Sequence, residues 1–140
     1  MTAAFRNAAL ISVAAAWLGS APAQESAIEG RLVVEPGKPS VLETEGKAVP
    51  LTGARRSVRD TLQDARISGK RLRLAGRQKA DGSFEVDEFY VVRPDGSLYR
   101  LVYFCDVCNI TRFGPGKCEC CQQPTIPTEI PTTDPRVRKN

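Results

Sequence analysis

The chain has 140 residues, 41% of them hydrophobic and 6% aromatic, and its formal net charge is +4. That length suits one small domain, and the charge is too slight to argue for nucleic-acid binding by itself. Histidine is absent, which excludes an imidazole-ligated metal site and a Ser-His-Asp nucleophile set; no phosphate-binding loop or pair of catalytic carboxylates is recognisable either.

At the start, Arg6 is followed by an apolar stretch from Ala8 to Gly19 and then by Ala21-Pro22-Ala23. A positive residue, a short apolar run and an A-x-A site are the parts of a secretory signal, here residues 1–23, cleaved after Ala23. The apolar run is too short to span a bilayer. The expectation is a periplasmic or secreted protein that begins at Gln24, with no membrane span after cleavage. Removing the signal takes away one charge, Arg6, and leaves a net +3.

Residues 24–104 read as a β domain. Ile28 to Glu35 alternates and breaks at Pro36-Gly37; Ser40 to Thr44 is a second strand, Glu45-Gly46-Lys47 a turn, and Ala48 to Leu51 a third strand. The period then changes. Val58, Thr61, Leu62 and Ala65 recur at helical spacing, with Ser57 as the expected N-cap and Asp60 as its capping partner. Lys70 to Arg77 alternates again, with Leu72, Leu74 and Gly76 on one face and Arg71, Arg73 and Arg77 on the other. Ala80-Asp81-Gly82 turns into Phe84 to Val92, and Pro94-Asp95-Gly96 turns into Leu98 to Phe104, which runs directly into Cys105.

Three strands, a helix and two more strands follow the order of an OB-fold, a small Greek-key barrel. The passage Gly69-Lys70-Arg71-Leu72-Arg73-Leu74-Ala75-Gly76, its Asp-Gly hairpin and the aromatic strand after it resemble small OB-fold proteins of the bacterial envelope. A split sheet with one packed helix is the alternative fold. The expected core is Leu32, Val34, Leu51, Leu62, Leu72, Leu74, Phe84 and Val86.

All five cysteines lie in residues 105–121: Cys105-x2-Cys108, nine residues, then Cys118-x2-Cys121, with Cys120 inside the second pair. Two CxxC turns close together can aim four thiolates at one tetrahedral Zn²⁺. Asn109 and Gly114-Pro115-Gly116 supply turn conformations beside them, and Lys117 and Arg112 are placed to favour thiolates. Tyr103-Phe104-Cys105-x2-Cys108 and Pro115-Gly116-Lys117-Cys118-x2-Cys121 resemble the short heavy-metal-binding domain of bacterial metal-efflux proteins. The resemblance implies ligand roles for Cys105, Cys108, Cys118 and Cys121. This chain has Asp106-Val107 where that domain has Pro-Met, lacks its final Gly-Met, and adds Cys120 as an alternative metal ligand. With Met1 as the only methionine, the expectation moves from copper to a structural zinc knuckle over residues 105–121. The alternatives are Cu(I), disulfides formed in an oxidising compartment, and CxxC redox chemistry.

Residues 122–140 carry Pro124, Pro127, Pro131 and Pro135 among threonines and read as a disordered tail. Arg55, Arg56, Arg59, Arg71, Arg73 and Arg77 read as a solvated basic face, with Glu85, Asp87 and Glu88 as cross-strand partners; Tyr90, Tyr99 and Tyr103 read as core and rim aromatics. The whole reading is a mainly β, OB-like barrel with one short helix, a four-cysteine zinc knuckle and a tail. Its expected function is an exported metal-binding module, without evident catalysis, for an unknown protein or small ligand of the cell envelope; the alternative is a thiol redox protein or a metal chaperone or sensor.

Overall fold

The computed structural model describes residues 25–133; the signal reading and the end of the chain from residue 134 lie outside these. The elements in order are β1 (Ser26–Val33), β2 (Val41–Thr44), β3 (Lys47–Gly53), helix α1 (Arg56–Leu62), a 3₁₀ turn (Ala65–Ile67), β4 (Arg71–Gln78), β5 (Phe84–Val92), β6 (Leu98–Cys105), β7 (Ile110–Arg112) and β8 (Ile126–Pro131).

The first five strands close on themselves. β1 lies antiparallel between β2 and β4, β2 pairs with β3, and β4 with β5. The parallel pairing of β3 with β5, Leu51 to Gly53 against Phe84 to Val86, seals the ring. This 1-2-3-5-4-1 circuit with a helix between β3 and β4 is an OB-like Greek-key barrel. Two glycines let it curve: a Cβ on Gly30 would strike the Glu43 carbonyl, and one on Gly76 would strike that of Glu85, at a register shift between β4 and β5.

The alternation fills the barrel. In β4, Leu72, Leu74 and Gly76 are buried while Arg71, Arg73 and Arg77 are exposed. From β1 to β5, Leu32, Leu51, Leu72, Leu74, Phe84 and Val86 form one cluster, which Val58, Leu62 and Ile67 close from the helical side. Val34, expected inside, is only partly buried and packs against the cluster from its edge.

The expected helix cap is corrected. Arg55, not Ser57, takes the N-cap position, with extended backbone and no side-chain cap. Gly53 packs so tightly on the Arg59 backbone that the helix must begin at once after Ala54. Ser57 is therefore inside the first turn, and Asp60 pairs with Arg56 at 3.6 Å instead of closing a capping box.

β6 continues beyond the barrel and organises the rest. It pairs with the end of β5 and with β7 along one edge and with all of β8 along the other. Residues 126–131 are thus a strand, which corrects the expectation of disorder from residue 122. Ile130 is buried, and Glu129 accepts from Lys70 at 2.5 Å and from Arg93 at 2.7 Å. These contacts offset the ordering cost that the polar composition alone could not.

Candidate metal centre

β6 ends by delivering Cys105 into the interior, and each CxxC segment then folds into the same small turn. Cys105 pairs with Ile110 across the β6–β7 hairpin; thirteen residues on, the Cys118 amide donates to the Gln123 carbonyl at 2.8 Å. The residue after each second cysteine is left-handed, with φ of 56° at Asn109 and 60° at Gln122. The first thiol of each pair accepts two backbone N–H groups: Cys105 from Cys108 and Val107, and Cys118 from Cys121 and Cys120. The chain therefore contains two copies of one knuckle, facing each other.

This repetition brings four sulfurs together. The Sγ atoms of Cys105, Cys108, Cys118 and Cys121 all lie within 4.8 Å of one another, and those of Cys105 and Cys121 are 3.5 Å apart. A tetrahedral zinc with Zn–S bonds of about 2.3 Å sets its sulfurs about 3.8 Å apart. A disulfide needs about 2.05 Å, and all five cysteines are free thiols here. The four residues can hold a metal ion. Cys105 and Cys118 are buried, Cys108 and Cys121 half-buried, and Cys120 exposed.

The electrostatics follow this geometry. The amides of Cys121 and Cys120 pull the Cys118 thiol down to about 7, so it is the readiest thiolate. Lys117 and Arg112, expected to do this, are not the cause. The Arg112 guanidinium donates to the Lys117 carbonyl and lies 3.7 Å from Glu119, so it holds the loop. The thiols of Cys120 and Cys121 push Cys108 far up, as expected where like groups crowd before a cation neutralises them.

The knuckle is tied to the barrel by a polar chain. Tyr103 is fully buried, and its hydroxyl donates to Asp64 Oδ2 at 2.8 Å. Asp64 also accepts from Arg66, whose Nη1 donates to the Thr125 carbonyl at 2.8 Å. The Thr125 hydroxyl and amide both donate to the Gly116 carbonyl, at 2.7 and 3.2 Å, just ahead of Cys118. Sequence reasoning missed Asp64, Arg66 and Thr125; the two-residue spacing Asp64-x-Arg66 is a weak signal, and Thr125 had none.

The remaining expected groups are spread over the barrel. Arg71 and Arg73 pair with Glu29, Arg77 with Glu85, and Arg100 with Glu88, so acids interrupt the basic face. Asp87 contributes only its carbonyl, to Arg55. Tyr99 lies partly buried under the Arg93 guanidinium, 4.3 Å from ring centre, and Tyr90 under Arg100. A cavity of about 560 Å³ between the β1–β2 connection and α1 is lined by Lys38, Ser40, Thr52 and Arg59, remote in sequence from the thiols. Among the described residues, no helix is long and apolar enough to cross a membrane. Searches against protein-family models and curated proteins returned no match, so the family resemblances rest on the quoted residues alone.

Proposed function

We propose that this chain is an exported metal-binding module in which an OB-like barrel carries one zinc ion on Cys105, Cys108, Cys118 and Cys121. The observation that carries this reading is the convergence of four Sγ atoms within 4.8 Å, built by two equivalent knuckles. Four thiolates in a tetrahedral set, with no nearby methionine, suit Zn²⁺ better than Cu(I), which favours fewer ligands. The role is structural: the bound metal supplies folding energy to two short turns that have little core of their own. Export rests on Arg6, the Ala8 to Gly19 run and Ala21-Pro22-Ala23. The partner is a protein or small ligand of the cell envelope, not a nucleic acid.

Metal analysis with intact mass on the natively purified chain tests the reading. We expect one zinc, a mature N-terminus at Gln24 and five alkylatable thiols once the metal is stripped. Cys105→Ser should abolish zinc binding and expose the amides of residues 105–123 to exchange while the barrel stays folded. Copper in place of zinc would move the function to metal handling, and metal-free protein with fewer than five alkylatable thiols would make the cysteines disulfides. An unprocessed chain in the cytoplasm would remove the export claim.

A further inference from the structure

The two knuckles differ at one informative place. The thirteen-residue offset that relates Cys105 to Cys118 and Cys108 to Cys121 relates Val107 to Cys120. Val107 is 68% exposed, so this position points outward and its side chain is not needed to build the turn. In the second knuckle the outward position holds a thiol instead, and Cys120 is also exposed. It is not isolated. Its backbone N–H faces the Cys118 sulfur, and its thiol lies close enough to that of Cys108 to perturb it.

The four inner thiols are unequal as well. Cys105 and Cys118 are buried and each accepts two amides, whereas Cys108 and Cys121 reach the solvent side. The Cys105 and Cys118 sulfurs thus lie in the interior against backbone amides, and Cys108 lies among other thiols. One of the two solvent-side ligands, Cys108, therefore stands beside the spare sulfur.

We infer that Cys120 is an exchange ligand, which replaces Cys108 on the metal and moves the ion from the half-buried four-thiol site toward solvent. This inference rests on the four-thiolate zinc reading and adds to it a path by which the ion enters and leaves. In the exchange the bond from zinc to Cys108 Sγ breaks as the bond to Cys120 Sγ forms. The Cys120 proton passes to the departing Cys108 thiolate. Coordination number and charge are unchanged, so no oxidant or second reagent is required. The outer set is Cys105, Cys118, Cys121 and Cys120, in which Cys120 is open to solvent. The ion that exchanges is a thiophilic d¹⁰ cation, Zn²⁺ foremost.

Two measurements on the full reduced chain test this. In the first, Cys108→Ser should still hold one zinc, because Cys120 takes the vacated position, while the double variant Cys108→Ser/Cys120→Ser holds none. In the second, excess 4-(2-pyridylazo)resorcinol is added to the zinc-loaded protein. Cys120→Ser should keep one zinc but surrender it roughly tenfold more slowly than the wild type, which corresponds to about 1.4 kcal/mol more in the barrier to release. Circular dichroism of each variant checks that the fold is retained. Loss of zinc from folded Cys108→Ser, or equal release from Cys120→Ser and wild type, overturns the exchange role and leaves the zinc site standing. Wild-type protein that takes up no zinc removes both.

Discussion

Gln122 and Asn109 show how much of the candidate metal centre is decided by single backbone conformations. Each follows the second cysteine of its pair and turns the chain left-handed, so that the next residue can pair back beside the first cysteine. Asn tolerates that region readily, but a longer side chain such as Gln pays a steric penalty there. Gln122→Gly should therefore stabilise the zinc-loaded protein by about 1 kcal/mol, and Gln122→Val should destabilise it, as read by thermal denaturation at fixed zinc. Equal melting of Gln122→Gly and wild type would mean the turn is not strained. At this scale the sequence was readable where chemistry is unambiguous. The CxxC spacing pointed to Cys105, Cys108, Cys118 and Cys121, which converge. Asn109 was recognised as a turn former, but its counterpart Gln122 was not, because Gln has no propensity to announce the conformation. The N-cap was misassigned to Ser57 for the opposite reason: its propensity is strong, and the tight approach of Gly53 to Arg59 overrides it.

β8 is the element that composition concealed. Between Ile126 and Pro131 only Ile126 and Ile130 are large and apolar, and two prolines normally argue against a strand. An edge strand relaxes that rule. The Thr132 amide donates inward to Leu98 at 3.4 Å, so Ile130 and Thr128 share its inward parity, and Pro127, Glu129 and Pro131 direct their nitrogens to the open edge. Proline there loses no ladder hydrogen bond and discourages another chain from pairing. Beside its ladder with β6 and the buried Ile130, what holds the strand is Glu129, whose side chain is only 15% exposed between Lys70 and Arg93. Glu129→Ala should cost on the order of 1 kcal/mol, the upper range for partly exposed pairs, and should raise hydrogen exchange at residues 126–132 far more than in the barrel. Uniform loss of protection would mean that β8 and the barrel open as one unit. The barrel strands were legible from sequence because their period-two pattern faces a single core; β8 has no such pattern, since Ile130 is its one buried residue.

At the scale of the whole molecule, the barrel and the metal centre are joined by β6 and by the chain from Tyr103 through Asp64 and Arg66 to Thr125. Asp64 carries most of the consequence. Burial disfavours its charge, but hydrogen bonds from Arg66 and Tyr103 and the Arg66 charge outweigh this, so its carboxyl titrates below the usual range. A carboxyl whose folded pKa is depressed adds stability above its unfolded pKa of about 3.9, and that stability is lost as pH falls through the lower folded value. Asp64→Asn keeps the shape but leaves the Arg66 guanidinium, which is about half exposed, without its counter-ion. The variant should be less stable than the parent at neutral pH, and the difference should shrink as pH falls below 4, where the parent's own carboxylate is being neutralised. Acid would also protonate the thiolates that the proposed zinc needs, so both proteins should carry Cys105→Ser, which separates the carboxylate from any metal release. The core from Leu32 to Val86 does not include the knuckles, so this background should still unfold cooperatively in urea. A stability gap that stays constant from pH 7 down to about 3 would show that Asp64 acts as a neutral hydrogen-bond acceptor, and that the link between barrel and knuckle is not electrostatic.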